Sequence, residues 1–275
     1  MLLIGYLGPS GTFSEQAALS YFNNLNEYEL IPFPTIQDLL QAIDRGEILK
    51  GVVPIENSIE GAVNTTVDML AFEVNLNIQA EIVIPVRHYL LGYKEFAFNE
   101  ITQVLSHPQA IAQCRNYLHT HMPKAEMVFT SSTAEAVREV ASKKSPRAAV
   151  GTLLAAKKYG LSVLDSDIQD TKQNETRFVV LGKEEGKKGD KCKTSLVFST
   201  ENKPGELYRI LNIFSLWDVN MTKIISRPSK TKLGEYVFFI DLEGHVLEED
   251  MKNALMMVQR KTSFYKLLGS YEIIE

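Results

Sequence analysis

Cysteine, tryptophan and histidine are all scarce in this sequence, with two, one and five residues among 275. The two thiols, Cys114 and Cys192, stand far apart. That excludes a disulfide-stapled scaffold and fits reduced thiols in a cytosolic protein. Of the histidines only His119 and His121 are close, and their spacing turns them to different helix faces. No metal-site spacing exists, so no metal is expected. No apolar run approaches the roughly 18 residues of a membrane span. The opening MLLIGYLG lacks a basic segment and a long apolar core, so it predicts a strand and not a secretion signal. A basic excess is missing too: the net charge of −5 argues against nucleic acid as the main partner.

Several reaction classes lose their usual markers. Gly5, Gly8 and Gly11 do not fit G-x-G-x-x-G, and neither a G-x-x-x-x-G-K-[ST] loop nor a G-x-S-x-G elbow is present. Whatever chemistry the chain performs is expected to use ordinary side chains, with no cofactor.

What remains is an ordinary globular composition, 45% hydrophobic and 23% charged, in a chain long enough for two domains. The charge is uneven, a net −6 over residues 1–182 and +1 over 183–275. The pattern predicts a strand at 2–7, helices at 12–23 and 35–45, a strand at 51–55 and a helix at 64–72. One long strand or two broken ones follow across 78–92. The rhythm then restarts, with strands at 101–105, 125–129 and 147–150 alternating with helices at 108–119, 132–144 and 151–159. Thr12-Phe13-Ser14-Glu15 and Ser132-Thr133-Ala134-Glu135 have capping-box spacing, and Gly160 sits where a C-terminal cap belongs. Such alternation predicts an α/β, largely parallel sheet, and the restart predicts two lobes.

Residues 183–193, KEEGKKGDKCK, carry eight charges and two glycines and read as a linker. Beyond it the order becomes strand 194–200, helix 204–216, strand 219–227, strand 234–241, helix 247–259, strand 263–274. That βαββαβ order is the ferredoxin-like unit. The apolar stripes Leu207, Ile210, Leu211, Phe214 and Met251, Ala254, Leu255, Val258 predict helix faces on one sheet.

In open α/β folds ligands bind beyond the carboxyl ends of strands. Four polar segments occupy such places. Gly8-Pro9-Ser10-Gly11-Thr12 is either an anion-binding helix start or a common glycine turn. Glu56-Asn57-Ser58 follows a buried run, as a site or as an Asx-type cap. Ser106-His107-Pro108 opens a helix on which Gln109 and Gln113 share a face. The fourth, QNETRF at 173–178, packs an acid, amides, a hydroxyl and a guanidinium just before an apolar strand.

Taken together, GPSGTFSE, PIENSIEG, SHPQAIAQC and TRF resemble, in this order, the motifs of the prephenate dehydratases, and the C-terminal segment resembles their ACT regulatory domain. The resemblance spans essentially the whole chain. It implies a catalytic domain over 1–182 of the two-lobed type II periplasmic-binding-protein kind, with lobe one at about 1–78 and 162–182 and lobe two at about 79–161. A linker at 183–193 and an ACT domain at 194–275 complete the expected architecture. No helical segment precedes Met1, so the chorismate mutase fused to some relatives is not expected.

The activity implied is conversion of prephenate to phenylpyruvate, water and carbon dioxide, without cofactor or metal. The resemblance assigns catalysis to Thr176, Asn57, Ser106, Gln113 and Glu56, with Thr176 at the leaving hydroxyl. Substrate binding falls to Ser10, Gly11, Thr12, Arg177 and Phe178; Arg177 is equally readable as a structural ion pair. Effector binding, implied for phenylalanine, falls to Asn202, Pro204, Gly205, Leu207, Ile225, Ser226, Arg227 and Pro228. Glu206, Tyr208 and Ile225 depart from the family's usual ACT motifs. A homodimer or homotetramer is implied, and no membrane or nucleic-acid partner. Two rivals stay open: an arogenate dehydratase, and a non-catalytic amino-acid sensor.

Overall fold

The computed structural model describes residues 1–23 and 27–274. The fold is α/β. Its elements begin with β1 (Leu2–Leu7), α1 (Phe13–Phe22), β2 (Tyr28–Phe33), α2 (Ile36–Arg45), β3 (Lys50–Asn57), β4 (Gly61–Ala62), α3 (Asn64–Phe72) and β5 (Asn77–Pro85). They continue with β6 (Tyr89–Gly92), β7 (Gln103–Ser106), α4 (Pro108–Gln113), α5 (Arg115–His121), β8 (Glu126–Phe129), α6 (Thr133–Ser142) and β9 (Arg147–Gly151). Next come α7 (Leu153–Tyr159), β10 (Ser162–Asp165) and β11 (Glu175–Gly182). The chain closes with β12 (Cys192–Ser199), α8 (Glu206–Leu216), β13 (Met221–Pro228), β14 (Tyr236–Glu243), α9 (Glu249–Lys261) and β15 (Phe264–Ile274). No helix among the described residues is long and apolar enough to cross a membrane.

Two compact units form. The first comprises Met1–Leu39, Glu56–Gly61 and Val83–Arg177; the second comprises Leu40–Ile55, Ala62–Ile82 and Phe178–Glu275.

In the first unit β1 and β2 run parallel, and a five-stranded sheet has the order β10-β6-β9-β7-β8. This sheet is mixed, not largely parallel as the alternation predicts. Strands joined through helices, β7 with β8 and with β9, are parallel, whereas β6 is antiparallel to both β9 and β10. β6 lies between β9 and β10, which are joined through α7 and both run opposite to it. Leu90, Val104, Ala148 and Val150 fill one core of this unit; Leu91, Leu105, Val137 and Ala149 fill another.

Local signals explain most boundaries. Thr12 caps α1, its Oγ1 accepting from Glu15 N at 3.4 Å, and Ser132 caps α6 at 3.0 Å. Glu15 does not return to the cap residue, as a capping box would have it; its carboxylate accepts from Gly11 N at 2.5 Å. Gly160 ends α7 with φ of +74°, a left-handed conformation that glycine adopts without a Cβ penalty. The single helix predicted at 108–119 is two, broken at Cys114. The cause is tertiary. Asp170 N donates to Gln113 O at 2.7 Å, and the Asp170 carboxylate accepts from Asn116 N and Tyr117 N, so an outside residue ends one helix and starts the next. β2 and β10 had no counterpart in the sequence reading. β2 is short, carries Pro32 and lies at a sheet edge, where a missing N–H is tolerated.

In the second unit β12, β14, β13 and β15 build an antiparallel sheet in the order β13-β14-β12-β15, and β15 also pairs with β5 in parallel. With α8 and α9 this completes the βαββαβ pattern. Met251, Ala254, Leu255 and Val258 are all buried against it, as the stripe predicts. On α8 the buried positions are Ile210, Ile213 and Phe214, with Leu207 at the margin, so the face is rotated slightly from the predicted one.

Candidate active site

β3 ends at Glu56-Asn57 and β11 begins at Glu175-Thr176-Arg177; these strand ends meet in the first unit. Ser58 N donates to Glu175 O at 2.9 Å and Glu175 N to Ser58 Oγ at 3.0 Å, fixing the two segments side by side. The Asn57 carboxamide oxygen accepts from the backbone of Ile59 and Glu60 at 3.0 and 3.1 Å. This is the Asx-type turn the sequence allowed. It also aims the amide nitrogen, which donates to Thr176 Oγ1 at 2.9 Å and to Asn174 Oδ1 at 2.8 Å. The Thr176 hydroxyl oxygen is thus an acceptor towards Asn57, and its proton points elsewhere.

Asn174 extends the network. It is 1% exposed, and its Nδ2 donates to Gln113 Oε1 at 3.2 Å. The same oxygen lies 2.9 Å from Nε2 of His88, which is 2% exposed and stands edge-on to Phe13 with ring centroids 5.9 Å apart. Burial holds the His88 ring below its usual pKa, outweighing the bond to Gln113, so the imidazole is uncharged in neutral solution. The first unit therefore joins Thr176, Asn57, Asn174, Gln113 and His88 in one hydrogen-bonded chain.

Sequence reasoning singled out Thr176, Asn57 and Gln113 but neither Asn174 nor His88. Asn174 had a signal, its place inside QNETRF. His88 had only an isolated position between two apolar runs.

The other candidates lie in distinct surroundings. Ser106, at the end of β7, is fully buried and donates to Val150 O at 2.7 Å. Arg177 faces Glu56, with Nε 3.3 Å from the carboxylate. Phe178 is buried in the second unit. Ser10 Oγ bonds Tyr6 Oη at 2.8 Å, and burial pushes that phenol up to about 12, so it keeps its proton. Thr12 Oγ1 donates to Leu7 O at 3.2 Å. Gly11, at φ +95°, lies against Ala155 of α7, and Thr152 Oγ1 donates to its carbonyl at 2.6 Å.

Among the effector candidates of the second unit, the N-cap of α8 is Gly205, at φ +82°, and not Asn202, whose side chain reaches Gly234 O at 3.4 Å. Asn202 lines a cavity of about 760 Å³ with Phe72, Glu201, Ser229 and Tyr236. Ile225 and Arg227 are half-buried on β13, and Ser226 and Pro228 are exposed. The Arg227 guanidinium forks onto Asp68 of α3, with both bonds at 2.9 Å.

Residues 4–186 match the family model for prephenate dehydratase, and residues 194–256 match that for the ACT domain. The chain belongs to the prephenate dehydratase family. It is 40% identical over 275 residues to the prephenate dehydratase of Methanocaldococcus jannaschii, covering 98% of both chains. To the bifunctional chorismate mutase/prephenate dehydratase of Aquifex aeolicus it is 42% identical over 268 residues, 98% of this chain and 73% of the relative. The crystal structure of the Arthrobacter aurescens prephenate dehydratase in complex with L-Phe superposes with a TM-score of 0.90 at 33% identity, over 98% of this chain and 90% of that one. The chain is accordingly a carbon–oxygen lyase of this family, carrying a C-terminal ACT domain.

Proposed function

We propose that Thr176 assists departure of the C4 hydroxyl of prephenate while Asn57 and Gln113 hold the substrate. The reaction breaks two bonds. The C1–carboxylate bond releases carbon dioxide, its electron pair enters the ring, and the ring expels the C4 oxygen. That oxygen needs one proton to leave as water, and phenylpyruvate remains. Because the ring becomes aromatic, the protein's work is to donate towards the leaving oxygen and fix the ring. General-acid assistance contributes about 10²–10⁴-fold, and preorganised donors act most strongly where charge develops.

The observation that carries this reading is the Asn57 bond to Thr176 Oγ1 at 2.9 Å. It occupies a lone pair of the hydroxyl and leaves the proton for the substrate. Threonine is a weak acid, so a neighbour or the substrate must polarise it, and the proton it gives is replaced from solvent. Glu56 holds Arg177 beside this site. Ser106 buttresses β7 through Val150 O, and the Ser10–Thr12 turn and Arg177 complete the surroundings of the dianion. Ultraviolet detection of phenylpyruvate tests the role: Thr176→Ala should lose turnover with its fold intact, and near-normal turnover would refute it. Running arogenate beside prephenate distinguishes the two substrates.

The domain limits that fit this reading are 1–182 for catalysis, a 183–193 linker and 194–275 for regulation. Phenylalanine is the proposed effector, supported by the L-Phe complex of the Arthrobacter aurescens relative. Asn202, Pro204, Gly205, Leu207, Ile225, Ser226, Arg227 and Pro228 are its proposed contacts, in a homodimer or homotetramer acting in the cytoplasm. Feedback requires that phenylalanine bind two arrangements of the protein with different affinity. Calorimetry should show phenylalanine binding by millimolar concentration; no heat at that level would end the proposal.

A further inference from the structure

The orientation of every amide in the site follows from two backbone groups. Ile59 N and Glu60 N can only donate, so the Asn57 atom facing them is Oδ1. Its Nδ2 therefore faces Asn174, whose facing atom must be the acceptor Oδ1. That turns Asn174 Nδ2 towards Gln113 and requires Oε1 there. Gln113 Oε1 then accepts from His88 as well, so the His88 nitrogen 2.9 Å away must carry the hydrogen. Donor and acceptor alternate without conflict from residue 60 to residue 88.

The other tautomer has no consistent solution. With a bare Nε2, His88 would oppose the Gln113 oxygen lone pair to lone pair. Turning Gln113 over would bring its NH₂ against the Asn174 NH₂, and turning Asn174 over would set it against Asn57. Because Asn57 is pinned by backbone, one misplaced proton on His88 leaves an unmatched buried contact somewhere in the chain, desolvated with no bond to offset it.

One atom is left over. His88 Nδ1 is buried and has no hydrogen-bond partner in the structure. A buried acceptor without a donor is itself costly, so packing alone would favour an apolar residue in this place. What histidine supplies is a ring N–H aimed at Gln113, braced by Phe13 from the side.

We propose that His88 is a positioning residue of the active site: by donating from Nε2 it locks Gln113 with its NH₂ group turned to the substrate and keeps the amide chain polarised towards Thr176. This rests on the reading of Thr176 and Gln113 as members of that site. Three groups between His88 and Thr176 carry the effect, and none of them can reverse alone.

The test uses the full chain labelled with ¹⁵N-histidine, with the His88 ring signals assigned by their loss in His88→Gln. The wild type should show the Nε2–H tautomer at neutral pH. Asn57→Asp, which removes the first donor, should shift those ring signals although residues 57 and 88 do not touch. In turnover, His88→Leu should lower kcat about 10–100-fold with KM little changed, the size expected when a contact residue is misplaced by about 1 Å. His88→Gln, which can donate from the equivalent position, should recover most of the loss. An Nδ1–H ring, or a protonated one, would overturn the proposal even if every variant misfolds, and so would wild-type kcat in His88→Leu. Should Thr176→Ala stay active, the site reading fails instead, while the ring spectrum still reports on the amide chain.

Discussion

Asn57 Nδ2 donates to the Thr176 hydroxyl oxygen at 2.9 Å across 119 positions of sequence. Asn57→Asp keeps the shape but replaces the donor by an acceptor, so the threonine proton would turn to the new carboxylate and be lost to the substrate. Turnover should fall about 10²–10³-fold, the usual result of removing one preorganised donor. Thr176→Ser should keep part of the activity and Thr176→Ala should lose about 10²–10⁴-fold. The double variant Asn57→Asp/Thr176→Ala should be little worse than Thr176→Ala alone, because both changes remove one shared function. Steady-state kinetics on the four proteins would check this, and additive losses would contradict it.

Gly11 gives a stability prediction. Its φ of +95° is a conformation L side chains rarely adopt, and an added Cβ would stand 2.9 Å from Ala155 Cβ and 3.1 Å from Ala155 Cα. Backbone strain of about 1–2 kcal/mol and overpacking of about 1–3 kcal/mol both apply. Gly11→Ala should lose about 2–5 kcal/mol in chemical denaturation. Adding Ala155→Gly should return only the steric part, since the backbone angle stays unfavourable.

The Asp68–Arg227 pair predicts a pH dependence. Burial raises the Asp68 pKa, but the bonds from Arg227 and Lys230 outweigh it and the net shift is downward. The folded protein therefore binds this proton less readily than the unfolded chain. The pair's contribution is present above the ordinary aspartate value of about 4 and fades as pH falls through the lowered folded value. Asp68→Asn should cost about 1–2 kcal/mol at neutral pH, as expected for a partly exposed forked pair. The difference from wild type should shrink in acid. Urea denaturation at pH 7 and pH 3 would read it.

Much of this was legible because the signals are local. The Thr12 and Ser132 caps, the left-handed Gly160 and the Met251–Val258 stripe are written within a few residues of where they act. The motif residues Thr176, Asn57 and Gln113 were legible through resemblance, and their meeting through Asn174 was not, because no periodicity encodes a contact across 117 positions. His88 was invisible for the same reason: its partners Phe13 and Gln113 come from other parts of the chain. Arg227 marks a different limit. The motif marks it as a proposed effector contact, and no local signal in the sequence foretells the forked pair that its guanidinium makes with Asp68 of α3.

The break at Cys114 carries the last prediction. The sequence pattern predicts one helix over 108–119, and Asp170 stands at its break, donating its N–H to Gln113 O at 2.7 Å and accepting from Asn116 N at 3.0 Å. Its carboxylate does for α5 what an N-cap side chain does in sequence. Loss of such a cap costs about 0.5–2 kcal/mol. Asp170→Ala should therefore lower stability by that amount and let 113–115 relax towards a continuous helix. That relaxation swings Gln113, so KM for prephenate should rise as well. Asp170→Asn keeps an acceptor for only one of the two N–H groups that the carboxylate now serves, so it should fall between wild type and Asp170→Ala in both measurements. If Asp170→Ala lost stability while KM stayed unchanged, the helix break would be a matter of folding alone, and Gln113 would be held by Asn174 and His88 without it.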